Sequence, residues 1–67
     1  MLKLNDLVET IHENTRFMIF RDVDESNTFF TGYKEDMSGL MKALCEDYEV
    51  IYIRITFNVL FIKVKEI

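Results

Sequence analysis

Oxygen donors at alternate positions are the first requirement of a calcium loop, and the stretch DVDESN supplies them in Asp22, Asp24, Ser26 and Asn27. The second half of such a loop is missing. Its sixth position, which needs glycine for a sharp turn, is Asn27, and its twelfth, which needs a bidentate carboxylate, is Tyr33. A solvated hairpin turn is the simpler reading of these residues, so no metal site is expected. His12 has Glu9 and Glu13 as helical neighbours but no nucleophile at relay spacing, which makes it a surface histidine. Cys45 precedes Glu46 and Asp47 near a helix end, where like charge and the helix dipole disfavour a thiolate. One cysteine and one histidine are too few soft ligands for structural zinc. The sequence contains no glycine-rich phosphate loop, nucleophile elbow or paired-carboxylate signature. No catalytic, cofactor-binding or metal residues are therefore expected, and the chain reads as non-enzymatic.

The elements that would have to position any site are bounded by size and charge. At 67 residues the chain reads as a single domain, 1–67, near the lower limit for independent folding. A domain this small buries only about 60% of the surface its unfolded chain exposes. Disulfides, metals or oligomerisation usually compensate, and a single cysteine with no zinc set leaves oligomerisation, here a homodimer. The lone Cys45 also suggests a reduced, intracellular setting, and MLKLNDLVE has no apolar run of signal-peptide length, so the expected compartment is the cytoplasm. Twelve acidic residues against 8 basic ones give a net charge of −4, the wrong sign for tracking a phosphate backbone. Direct nucleic-acid binding is not expected. With no proline and only two glycines, no linker or second domain is indicated.

Local patterning then gives an order of elements. In LNDLVETIHENT the apolar residues Leu4, Leu7, Val8 and Ile11 follow the spacing of one helical face, predicting a helix over residues 5–13. RFMIFRD is rich in β-favouring side chains, predicting a strand over 16–21. DVDESN followed by TFFTGYK reads as a polar loop and a second strand, a hairpin spanning 16–33. Met37, Leu40, Met41, Leu44 and Tyr48 recur at helical spacing, so EDMSGLMKALCEDY predicts a second amphipathic helix. Gly39 lies either near its start or at a close contact with the sheet. The expected fold is α+β, ordered α-β-β-α-β-β, with a four-stranded, mainly antiparallel sheet and two helices packed on one face.

The terminal stretch EVIYIRITFNVLFIKVKEI permits a sharper statement, because strand register decides which faces it brings together. With the turn centred on Phe57 and Asn58, Ile55 opposes Leu60, Ile53 opposes Ile62 and Ile51 opposes Val64. One face is then wholly aliphatic. The other pairs Thr56 with Val59, Arg54 with Phe61, Tyr52 with Lys63 and Val50 with Lys65. A one-residue slip would mix the faces. Phe57 is a poor residue for the positive φ of a two-residue turn, and a four-residue loop would keep the same parity. Arg54, Lys63 and Lys65 interrupt the stretch, which falls short of the about 20 apolar residues a membrane span requires, so no membrane association is expected.

Two surfaces remain. The second face of this hairpin, with Val50, Tyr52, Arg54, Val59, Phe61 and Lys63 and Lys65 at its rim, is either packed by one helix as ordinary core or left open as a protein interface. The other surface is acidic and includes Asp22, Asp24, Glu25, Glu35 and Asp36. It serves solubility alone or imitates nucleic-acid phosphates for a basic groove on a host protein.

The run of LNDLVETIHENT into RFMIFRD, then GYKEDM and an alternating terminal hairpin, resembles short proteins carried by phages and mobile elements of Gram-positive bacteria. The resemblance covers most of the chain and carries over no functional residue. It implies a context in which small acidic proteins bind host proteins, including defence nucleases. The leading expectation is a non-enzymatic, self-associating interaction module, with an acidic inhibitor or nucleic-acid mimic as the alternative.

Overall fold

A computed structural model describes the backbone of residues 1–67 and the side chains of residues 1–23 and 28–67. Helix α1, Leu4–Thr10, is followed by strands β1, Arg16–Arg21, and β2, Asp24–Gly32. A 3-10 turn at Lys34–Asp36 leads to the short helix α2, Gly39–Leu44, and a second 3-10 turn at Cys45–Asp47 leads to strands β3, Tyr48–Thr56, and β4, Val59–Glu66. The sheet order is β2-β1-β4-β3. Each hairpin is antiparallel, and the hairpins join through a parallel pairing of β1 with β4 at the centre. The fold is thus α+β with a mixed sheet. β2 and β3 occupy opposite edges rather than lying side by side.

The parallel register fixes the two faces of the sheet, because side chains alternate along each strand. Phe17 stands beside Leu60 and Ile19 beside Ile62, and these point to the helices. Phe17, Ile19, Ile62 and Val64 are fully buried there with Leu4 of α1, while Val8, Ile11, Met37, Cys45 and Tyr48 complete the cluster. Phe30 stacks on Phe17 at a ring separation of 5.3 Å, and Phe29 meets Tyr48 edge-on at 4.9 Å. Both helices contribute to this one cluster.

The second helix departs from the sequence expectation of one long amphipathic element. Ser38 ends the extended backbone, and its hydroxyl accepts a hydrogen bond from the Met41 N–H at 3.1 Å, so α2 begins at Gly39. Gly39 therefore lies at the helix start, and a Cβ there would meet nothing. The stripe that faces the core is Met37, Met41, Cys45 and Tyr48. Leu40 and Leu44, which the periodicity assigned to the same face, project outward, with Leu40 75% exposed.

The terminal hairpin follows the expected register for five pairs: Thr56 with Val59, Ile55 with Leu60, Arg54 with Phe61, Ile53 with Ile62 and Tyr52 with Lys63. A bulge at Ile51 then interrupts it, so that Val50, and not Ile51, opposes Val64, and Glu49, and not Val50, opposes Lys65. The first hairpin differs too. Its turn occupies Asp22 and Val23, and the backbone from Asp24 is already strand, paired with Arg21, where a longer polar loop was expected. The side chains of Asp24, Glu25, Ser26 and Asn27, on which the half-loop of calcium ligands rests, lie outside the described residues.

Phe57 and Asn58 form a two-residue turn, with φ values of 51° and 63°, rather than a four-residue loop. A bulky residue in the left-handed region costs about 1–2 kcal/mol, and Phe57, 94% exposed, gains no compensating burial. Phe57→Asn is therefore expected to stabilise the fold by about 0.5–1 kcal/mol, because Asn tolerates this conformation. Thermal unfolding followed by circular dichroism measures it; a lowered midpoint would show that the phenyl ring makes stabilising contacts.

Candidate functional site

Alternation and register place three rows of side chains on the sheet face turned away from the helices. Phe20, Lys63 and Tyr52 form the first row across β1, β4 and β3; Met18, Phe61 and Arg54 form the second; Arg16, Val59 and Thr56 form the third. On β2, Thr28 and Thr31 flank Phe20 and Met18. No helix contributes to this face. Five of the six residues expected at an interface, Tyr52, Arg54, Val59, Phe61 and Lys63, are gathered here. Val50 is not: the bulge at Ile51 turns it to the helix side, where it packs against the core cluster.

The chain partly covers this face with its own cations. The Arg54 guanidinium lies 5.0 Å from the centre of the Phe61 ring, and the Lys63 ammonium lies 5.9 Å from both the Phe20 and the Tyr52 rings. Such contacts combine attraction of the cation to the ring face with burial of the aliphatic stem along the ring. Lys63 thus contributes to the cover over Phe20, which is buried. At the margin Lys65 pairs with Glu49 at 3.2 Å. The result is an aromatic layer with positive charge held over it, on a chain whose net charge is −4.

A second exposed region adjoins it. Ile53 and Ile55 point toward the helix side, yet they remain 43% and 74% exposed, because β3 is the outer strand and α1, only seven residues long, does not cover its outer half. Ile55 and Leu60 line a shallow groove together with Leu7 of α1 and Ile11, which follows the helix. The helices therefore leave uncovered the β3 part of the aliphatic face that the sequence assigned wholly to the core, while Ile62 and Val64 of β4 are fully buried. Exposed Ile51, Tyr52, Ile53, Ile55 and Phe57 make β3 and its turn the most apolar part of the surface in sequence terms.

The acidic residues are distributed differently. Asp22, Glu35 and Asp36 are exposed, while Asp24 and Glu25 lie outside the described side chains. Asp36 has a local structural role, since its Oδ2 accepts the Tyr33 N–H at 3.0 Å. That same Oδ2 lies only 3.0 Å from where a Cβ on Gly32 would stand, and Gly32 has φ +141°, so glycine is required where β2 ends. Lys34 and Lys42 stand among the acids of the helix side, and the Lys34 ammonium donates to the Glu9 carbonyl at 2.8 Å.

The reactive side chains are tied into local structure. His12 is exposed, and its Nδ1 accepts the Asn14 N–H at 3.0 Å, ending the turn after α1. Cys45 is buried, its Sγ donates to the Met41 carbonyl at 3.3 Å, and burial pushes its thiol pKa up. A cleft of about 370 Å³ opens between α1 and α2, lined by Asn5, Glu9, Lys34, Lys42 and Cys45, and the Asn5 Oδ1 has no hydrogen-bond partner. Among the described residues, no group of three His, Cys, Asp or Glu side chains could hold a metal ion, and no helix is long and apolar enough to cross a membrane.

Sequence reasoning missed Met18 and Phe20, which extend the open face onto β1. Their matching parity in RFMIFRD was the available signal, but it has no meaning until β1 is known to lie beside β4. No family model, curated protein or solved structure matches the chain.

The Cys45 environment yields a prediction. The buried thiol holds its proton above the ordinary value of 9.0, so the unfolded chain ionises first as pH rises. The stability this group contributes is fully present below that pH and is lost as pH climbs through the raised native value. At mildly alkaline pH a thiol reagent should modify native Cys45 about tenfold or more slowly than the denatured chain. Equal rates would show that the thiol is accessible in the fold.

Proposed function

We propose that this chain is a non-enzymatic protein-interaction module that self-associates, with the sheet face left open by the helices as its contact surface. The single observation that carries this reading is the sheet face turned away from the helices, where Met18, Phe20, Tyr52, Val59 and Phe61 stand among Arg16, Arg54 and Lys63, with Tyr52 exposed, Met18, Val59 and Phe61 half-buried and Phe20 buried beneath its neighbours. Protein interfaces combine an aromatic centre, enriched arginine and a polar rim in this way. A 67-residue domain without a disulfide also gains stability when a partner covers such a face. A reducing, cytoplasmic setting and a phage or mobile-element origin form the context of the proposal.

Sedimentation velocity from low to high micromolar concentration tests it. Wild-type protein is expected to associate, and Phe61→Glu, which places a carboxylate at the centre of the face, should weaken association by about tenfold or more. A wild-type monomer throughout would remove self-association. An assembly that Phe61→Glu leaves unchanged would move the contact elsewhere.

A second reading, an acidic inhibitor or nucleic-acid mimic directed at a host nucleic-acid-processing protein, draws on the ion-pair pattern. Between described residues, the ion pairs Lys65–Glu49 and Arg21–Glu66 both belong to the sheet strands. The exposed Glu9, Glu13, Glu35, Glu46 and Asp47 take part in neither, so their charge is available to a basic groove. On this reading, binding to a basic nuclease should be competed by duplex DNA and should weaken steeply with added salt. Binding indifferent to both would remove it.

A further inference from the structure

The outer edge of β3 is treated differently along its length. Its first part is occupied by the chain's own N-terminal segment: the Val50 N–H donates to the Leu2 carbonyl at 2.8 Å, and Lys3 bridges to Glu49 in antiparallel fashion. This cover stops at Val50. Beyond it β3 remains the outermost strand of the sheet as far as Thr56.

The turn decides which backbone groups of that segment are free. A two-residue turn makes Thr56 and Val59 a hydrogen-bonded pair, so the N–H and C=O groups of Thr56, Arg54 and Tyr52 point to β4. Those of Ile53 and Ile55 point outward, away from the sheet. They are flanked by the exposed side chains of Ile51, Ile53 and Ile55. Folded proteins normally protect such an edge with charge, proline, irregularity or a covering segment. The opposite edge follows that rule, since β2 has two register irregularities in its pairing. The exposed part of β3 has a single charged residue, Arg54, and pairs regularly with β4 from Tyr52 to Thr56.

We infer that this free edge is the docking site for β3 of a second copy of the chain, added antiparallel about a two-fold axis at Ile53. The residues of the edge complement themselves in that register. Ile53 meets Ile53 of the second copy through a pair of backbone hydrogen bonds. On the open face Arg54 stands against Tyr52 of the second copy, and the reverse, a cation-on-ring pairing like the one Arg54 already makes with Phe61. The bulge at Ile51 ends the regular edge, so the added pairing centres on residues 52–54. Sliding the strands so that the axis falls at Arg54 sets two guanidinium groups opposite each other, which is unfavourable. Sliding the other way runs the strand into the Leu2 segment that occupies Val50. The register at Ile53 joins two sheets into an eight-stranded one whose open faces lie side by side.

This contact is distinct from the open face proposed above, and either can fail alone. Hydrogen exchange by NMR tests it directly on the wild-type protein. The Ile53 and Ile55 amides, which have no partner in the single chain, are expected to gain protection as concentration drives assembly. Fast exchange of these amides under conditions where sedimentation shows an assembly would overturn the edge contact, as would a monomer at every concentration. Ile53→Pro removes an outward N–H without touching the β3–β4 ladder, and Ile53→Lys places a charge on the edge. Both should keep the monomer's circular dichroism and weaken assembly by about tenfold or more; assembly unchanged in both would overturn the proposal. Loss in the Ile53 variants with Phe61→Glu unaffected supports the edge and removes the face. Loss only in Phe61→Glu does the reverse, and loss in both sets supports two contacts.

Discussion

The parallel pairing of β1 with β4 is the contact on which the rest of this small protein depends. It joins residues 16–21 to residues 59–64 and puts Phe17, Ile19, Ile62 and Val64 together at the centre of the core. Neither hairpin can bury its apolar face alone, since a two-stranded hairpin is at best marginally stable in water. The pairing also joins opposite ends of the chain, so nearly the whole loop-closure cost must be met before the central contacts form. Both helices act as covers for this seam. Leu4 and Val8 come from one and Met41 from the other, with Cys45 from the 3-10 turn that follows it.

What the helices fail to cover follows from their length. α1 has seven residues and α2 has six, so each offers about two turns to the sheet. That is enough to seal the two central strands on one side and too little to reach the outer half of β3. The other side has no helix at all, and there the chain uses the stems of Arg54 and Lys63 as a partial roof over aromatic rings. Among the described residues, Arg16, Arg54 and Lys63 lie on the open face, and Glu9, Glu13, Glu35, Glu46 and Asp47 are exposed elsewhere.

The parts of the fold legible in the sequence are those governed by nearest neighbours. β1 has the expected bounds, and five pairs of the terminal hairpin have the expected register, because a slip of one residue would expose every aliphatic side chain it should bury. The parts that were not legible depend on distant contacts. Met37, Leu40, Met41, Leu44 and Tyr48 fit a single helical stripe, but the same spacing also accommodates a short helix set between two tight turns, as found here. The bulge at Ile51 left no local mark, and it alone moved Val50 out of the candidate interface. Phe57 was legible as an awkward turn residue, yet the two-residue turn forms with it because pairing of the flanking strands outweighs a strain of about 1–2 kcal/mol.

By itself the sequence determined the element order, the division of the last hairpin into an aliphatic face and an aromatic, cationic one, and the scarcity of ligating or nucleophilic side chains. These follow from alternation, helical spacing and residue type, which are local properties. Only the tertiary structure decided that β4 would lie between β1 and β3, that Met18 and Phe20 would extend the open face, and that Ile53 and Ile55 would stay uncovered. A binary pattern states that a face is apolar but not which distant element meets it. That choice rests on the lengths of two short helices and on one parallel pairing between the ends of the chain.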